Sequence, residues 1–140
     1  MKKLFLSLLF AVGLLTASAA AAENGSMFVN VTTSDNIKAP MAVMLASKGL
    51  DRKMDMTIFL NADGVQLAVK KFNSPTCANN GKNIQEMLAM FMKKGGHVLV
   101  CPNCLAGHGY DKEDLIPGAE LSDPDKTFGA ISKSDKIISF

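Results

Sequence analysis

Apolar and polar residues alternate in blocks along the chain, and the period within each block identifies the element. Residues 27–31, Met-Phe-Val-Asn-Val, are apolar and β-branched and run into the polar Thr32-Thr33-Ser34-Asp35-Asn36, so they read as a strand feeding a loop. From Lys38 the apolar residues Met41, Val43, Met44, Leu45 and Ala46 cluster ahead of Lys48-Gly49, which predicts a helix stopped by glycine. Residues 54–60 form a second strand, ended by the turn signal Asn61-Ala62-Asp63-Gly64, and residues 65–70 read as a short helix. Residues 73–81 have the composition of a loop, long enough to suggest a task of its own. Ile84, Met87, Leu88 and Phe91 fall at i, i+3, i+4 and i+7, the clearest helical signature in the chain, over residues 83–94. Gly95-Gly96 ends that helix, and residues 97–100 make a third strand that delivers Cys101 at its C-terminal end. Beyond it we expect a helical turn at 111–115, an extended piece at 116–121, a helix at 122–133 with Pro124 in its first turn, and a last strand at 136–140.

Strands alternating with helices at this spacing predict an α/β fold, with a largely parallel sheet covered on both faces. Met41, Met44, Met87 and Met90 fall on helix positions that a core would use, so the methionines read as core filling rather than as a copper-chaperone set. No internal repeat or interdomain linker interrupts the pattern.

The first residues change the picture of where this fold works. Lys2 and Lys3 precede an apolar run over residues 4–15 and a stretch of Thr, Ala and Ser over 16–22. That is the layout of a secretory signal peptide, and an apolar run of about a dozen residues falls short of the ~20 that span a bilayer. We therefore expect cleavage after Ala22, export across a bacterial inner membrane, and a soluble single-domain mature chain, residues 23–140, in the periplasm with no membrane contact. Cleavage removes two lysines and no acid, turning fifteen bases against thirteen acids into thirteen against thirteen. A neutral surface with no basic run, no Trp and a single Tyr110 gives no reason to expect a nucleic-acid partner.

An oxidising compartment gives the three cysteines, Cys77, Cys101 and Cys104, their meaning. An odd count leaves at least one thiol free, mixed or otherwise engaged. In open α/β sheets, sites form beyond the C-terminal ends of the strands. Three polar loops end strands here, at residues 32–36, 61–64 and 101–109, and the third carries Cys101-Pro102-Asn103-Cys104. If residues 104–106 begin a helical turn, its free N–H groups favour a thiolate, Pro102 stiffens the turn, and Cys104 is close enough to trap an oxidised or persulfidated Cys101. Thiol–disulfide or sulfane-sulfur chemistry follows, the alternative being a structural disulfide or two buried thiols. Cys101, Cys104 and His108 could instead ligate zinc or copper, with Cys77 or His97 as fourth ligand. His108 is otherwise a general base or charge partner for Cys101, or a loop histidine, and His97 a partly buried rim residue. Cys77 could reach the same rim or stand as an exposed thiol. Asn61 and Asp63 lie near the site, with Asp63-Gly64 read first as a turn former. No cofactor is expected.

With those residues in view, the chain resembles the DsrE/DsrF-like family of sulfur-relay proteins over residues 28–140. The resemblance rests on Phe28-Val29-Asn30-Val31-Thr32, on the run from Ile58 to Val65, on Val98-Leu99-Val100-Cys101-Pro102-Asn103-Cys104, and on Gly109, the run Asp114-Leu115-Ile116-Pro117-Gly118-Ala119, and Asp135 to Phe140. It implies a Rossmann-like three-layer α/β/α domain with a sheet of about five strands, assembly as homo-oligomers such as trimers or hexamers, and a cysteine at the end of the third strand, here Cys101, that carries sulfur as a persulfide. It also implies partners: a donor or acceptor protein, or a small thiol. Export and the additional Cys104 and Cys77 set this chain apart from cytoplasmic sulfur-relay members. The expected function is a periplasmic sulfur handler, possible sulfurtransferase or persulfide carrier, with Cys104 as resolving thiol; the alternatives are a CxxC redox module and a metal-binding or assembly protein.

Overall fold

The structure, a computed structural model, describes residues 24–140, and the expected signal segment lies outside the described residues. Five strands, β1 (Ser26–Val31), β2 (Asp55–Leu60), β3 (His97–Val100), β4 (Glu120–Leu121) and β5 (Lys136–Ser139), make one sheet in the order β4-β3-β2-β1-β5. Every pairing is parallel. The helices α1 (Lys38–Asp51), α2 (Ile84–Lys93), α3 (Pro102–Gly107) and α4 (Pro124–Lys133) lie in the connections, with 3₁₀ turns at Ala62–Ala68 and Lys112–Asp114.

The connections from β1 to β4 step in one direction across the sheet, whereas the connection from β4 to β5 runs back past all of them. Right-handed crossovers therefore place α1 and α2 on one face and α4 on the other, which gives three layers. Register shows what each face carries. Val29, Ile58 and Val98 align, as do Val31, Leu60 and Val100, and all six are buried. Ala39, Ala42, Val43 and Ala46 of α1 and Ile84, Leu88 and Phe91 of α2 join that core, the small residues of α1 allowing close approach to the strands. Near-continuous apolar burial on this face is what a parallel sheet requires. The opposite face is less apolar: Phe28 aligns with Thr57, and Asn30 with Phe59.

Helix starts follow local chemistry. Asn83 caps α2 in a reciprocal capping box with Glu86, and Asp123 accepts from the Lys126 N–H (2.7 Å) at the start of α4, where Pro124 takes the first helical position. Among the described residues no helix is long and apolar enough to cross a membrane.

Three expectations need correction. The turn at 61–64 and the helix at 65–70 are one 3₁₀ segment, Ala62–Ala68, capped by extended Asn61. The extended piece at 116–121 shrinks to Glu120–Leu121, because Ile116 instead donates to the Ala68 carbonyl (2.8 Å). Met87 fills the core, but Met41 and Met90 are about half exposed (53% and 46%), since they stand off the stripes that face the sheet.

Candidate functional site

The C-terminal ends of β1, β2 and β3 bring three segments to one edge, and β3 presents Cys101 there. The Cys101 N–H donates to the Leu60 carbonyl (2.9 Å), so the ladder with β2 continues one residue past the strand. Its backbone is extended and its carbonyl accepts from Leu105 (3.0 Å), so Cys101 is the residue that opens α3. Pro102 fits the first helical position, where no N–H partner exists. The helix thus starts two residues earlier than expected. Leu105 is buried and anchors it, leaving Cys101 and Cys104 half-buried.

Both thiols are free, and they stand close enough at the start of α3 to perturb one another. Burial pushes the Cys104 thiol above its ordinary value, and the hydrogen bond to Cys101 and the charge of Cys101 push it further; a hydrogen bond from the Ala62 amide pulls the other way. A negative charge on Cys101 therefore keeps the proton on Cys104. The raised Cys104 thiol holds its proton the more firmly, the arrangement in which its neighbour reacts first and Cys104 second.

The segment after β2 supplies the rest. Ala62 sits at φ +46°, in the left-handed region that alanine rarely enters, at a cost of about 1 kcal/mol. Asn61 anchors this turn to β1: its N–H donates to the Val31 carbonyl (3.0 Å) and its side chain donates to the Asn30 carboxamide, which in turn donates to Ser139 (3.3 Å). Gly64 allows the turn to lie over the end of β1. A Cβ there would fall inside contact distance of the Val31 carbonyl oxygen. Asp63 then reaches His108, with Oδ1 3.3 Å from Nε2.

The fold therefore brings Cys101, Cys104, Asp63 and His108 together, and holds Asn61 beside them in a backbone-anchoring role. Cys77 behaves differently from either expectation. It is buried (4% exposed) within the hydrophobic core, with its N–H bonded to the Lys82 carbonyl (2.8 Å) and its own carbonyl closing the turn to Gly81. His97 is exposed at the N-terminal end of β3, four residues and so about 13 Å of strand from Cys101, too far to share a metal with it. Among the described residues no three His, Cys, Asp or Glu side chains converge as a metal site requires. A cleft of about 620 Å³ at the opposite edge, lined by His97, Thr57, Lys126 and Gly129, includes neither cysteine.

Two contributors escaped the sequence reading. The Ala62 amide leaves no signal in residue type. The common face of Cys101, Cys104 and His108, at i, i+3 and i+7, becomes visible once Pro102 is taken as the helix start.

Comparison with known proteins settles the lineage. The model of the DsrE/DsrF-like family matches residues 9–140. The chain belongs to the DsrE/DsrF-like family. The uncharacterized protein MJ0989 of Methanocaldococcus jannaschii is 30% identical over 103 residues, covering 74% of this chain and 87% of that one. Protein YchN of Escherichia coli K12 is 24% identical over 107 residues, 76% of this chain and 88% of its own. The crystal structure of the E. coli YchN protein superposes with a TM-score of 0.68 at 22% identity, over 83% of this chain and 98% of that one. The MTH1491 protein of Methanobacterium thermoautotrophicum gives 0.66 at 12% identity, over 84% and 100%. At those identities the two structures establish the shared DsrE/DsrF-like fold.

Proposed function

We propose that this chain is an exported, periplasmic sulfur-handling protein in which Cys101 accepts sulfane sulfur and Cys104 resolves the product. The observation that carries the reading is the placement of two free thiols, three residues apart, at the C-terminal end of β3, in a family whose sulfur-relay members load a cysteine at that position. Export rests on the charged, apolar and small-residue order of residues 1–22.

The Cys101 thiolate attacks the outer sulfur of a persulfide or polysulfide. The donor S–S bond breaks, the donor leaves as a thiolate, and Cys101 carries the transferred sulfur as a persulfide. An acceptor thiolate then takes that outer sulfur and restores the Cys101 thiolate. In the resolving branch, Cys104 loses its proton to water and attacks the inner sulfur, expelling hydrosulfide and forming a Cys101–Cys104 disulfide. A dithiol reductant resets that disulfide by exchange. No step calls on a cofactor, and the partners are a donor or acceptor protein or a small thiol, with the chain itself assembling as a homo-oligomer.

The test is tandem mass spectrometry after treatment with inorganic polysulfide. The reading predicts added sulfur on Cys101, persistence of that sulfur in Cys104→Ser, and none in Cys101→Ser. Equal labelling of the Cys101→Ser variant overturns it. Formation of the Cys101–Cys104 disulfide with no sulfur ever loaded overturns it in favour of a thiol–disulfide redox module.

A further inference from the structure

A cleft of about 340 Å³, lined by none of the cysteines, opens between α1 and α2, which pack against one another. Its base is apolar. Met87 and Phe91 of α2 are buried there, Met44 of α1 is half-buried, and Met90 stands 46% exposed. The third wall comes from the loop over residues 73–81. Cys77 sinks into the core and its backbone closes a turn: its N–H donates to the Lys82 carbonyl (2.8 Å) and its carbonyl accepts from the Gly81 N–H (2.9 Å). The Asn80 side chain accepts from the Lys82 N–H (3.0 Å). The turn so fixed sets Asn79, Asn80 and Lys82 against the two helices. Lys48 and Lys94, also on the rim, share a single carboxylate, Asp51, at 3.6 and 2.8 Å. Among the described residues Lys82 has no carboxylate partner. Three cations thus surround an apolar base with one anion between them, although bases and acids balance over residues 23–140 as a whole.

We propose that this cleft binds a single-chain carboxylate, a free fatty acid of medium length, with its tail on the methionines and its head group among Lys48, Lys82 and Lys94. Charge complementarity selects the ligand. A metal ion would be repelled by the surplus lysines, and an uncharged apolar ligand would leave them unused; an anion with an apolar tail matches both rim and base. At about 340 Å³ the cleft lies at the small end of ligand sites, which run from about 300 to 1,000 Å³, so it holds one chain and not a two-chain lipid. Unbranched thioether side chains re-pack around tails of different length. The site goes beyond the sulfur chemistry and needs neither Cys101 nor Cys104.

Nuclear magnetic resonance of isotopically labelled methionine methyl groups reads the site directly. Met44, Met87 and Met90 form its base, and Met56, buried beneath Gly49, is the control. Decanoate, kept below its micelle concentration, should shift the first three signals and leave Met56 unmoved. Decanol, the same chain without the charge, should bind about fivefold more weakly, and the gap should narrow in high salt. Met90→Ala should weaken both ligands by about fivefold through lost apolar contact. Lys82→Gln should weaken decanoate alone, by about threefold. Asp51→Asn releases two lysines and should strengthen decanoate binding by about threefold, a gain that loss of a merely structural ion pair would not produce. No shift at Met44, Met87 and Met90 up to the solubility limit overturns the proposal. Equal affinities for decanoate and decanol, tighter binding of decylammonium, or weaker decanoate binding in Asp51→Asn overturn it too.

Discussion

Substituting Gly64 by alanine tests how tightly the turn beside the cysteines is held. The added Cβ would overlap the Val31 carbonyl oxygen and stand 3.0 Å from the carbonyl carbon. Both atoms belong to backbone in the middle of the sheet's edge, where Val31 also receives the Asn61 N–H, so neither can swing away. Relief requires the turn to lift by about 1.2 Å for the oxygen to reach ordinary contact near 3.5 Å. Overpacking of this kind costs about 2 kcal/mol. With an unfolding entropy of about 2.1 cal/mol/K per residue, that lowers the melting temperature of this domain by about 8 °C. The displacement also carries the Ala62 amide away from Cys104, so the Cys104 thiol should titrate higher still. Thermal unfolding followed by circular dichroism measures the first effect, and the pH dependence of Cys104 alkylation the second. Gly107→Ala is the control, because a Cβ there meets nothing within 4 Å on α3. A Gly64→Ala protein that melts within about 2 °C of the parent, with Cys104 titrating unchanged, refutes the packing argument.

Further outcomes follow from the same contacts. In Cys101→Ser the titration of Cys104 should move down toward the ordinary thiol value without reaching it, since the Cys101 charge is gone while burial, the larger cause, stays; pH-dependent alkylation reads this, and an unmoved midpoint contradicts the coupling. Cys77→Ser should leave polysulfide loading of Cys101 intact while costing about 1–3 kcal/mol in urea unfolding, because a hydroxyl replaces a thiol packed in the core. Acid should weaken the fold through Asp35, held below its ordinary value by the Lys38 and Ile37 amides, and through Asp135, held down by the Ser26 amide and hydroxyl. Their folded-state pKa values are depressed, so the stability they add is present above the ordinary carboxylate range and is lost as pH falls below about 4. Urea midpoints across that range should fall less steeply in an Asp35→Asn, Asp135→Asn double variant; identical slopes would remove these carboxylates from the account.

Much of the architecture was legible because it depends on periodicity. The 3.6-residue stripe of α2 and the β-branched runs of β1 to β3 predicted both the elements and the parallel sheet, and the rule that sites lie past strand ends pointed to Cys101. What escaped the sequence depends on tertiary packing. Met41 and Met90 carry the hydropathy of core residues, but helix phase places them outward. Cys77 sits among Asn, Gly and Pro, a composition that reads as surface, yet the turn its carbonyl closes lets the side chain fold inward. The left-handed Ala62 is invisible in residue type, because glycine or asparagine would ordinarily mark such a position. Asp63 and His108 were each assigned to the neighbourhood, but their pairing needed the length and phase of α3.

The account stands or falls on the chemical state of Cys101 in protein taken from its own compartment. Intact-mass and peptide mass spectrometry of protein purified without reductant, with thiols trapped at lysis, reads that state directly. The prediction is Cys101 carrying an extra sulfur or bonded to Cys104, beside an unmodified Cys77. A Cys101 recovered wholly as the unmodified thiol, with the sulfur found on Cys77 or nowhere, would contradict it.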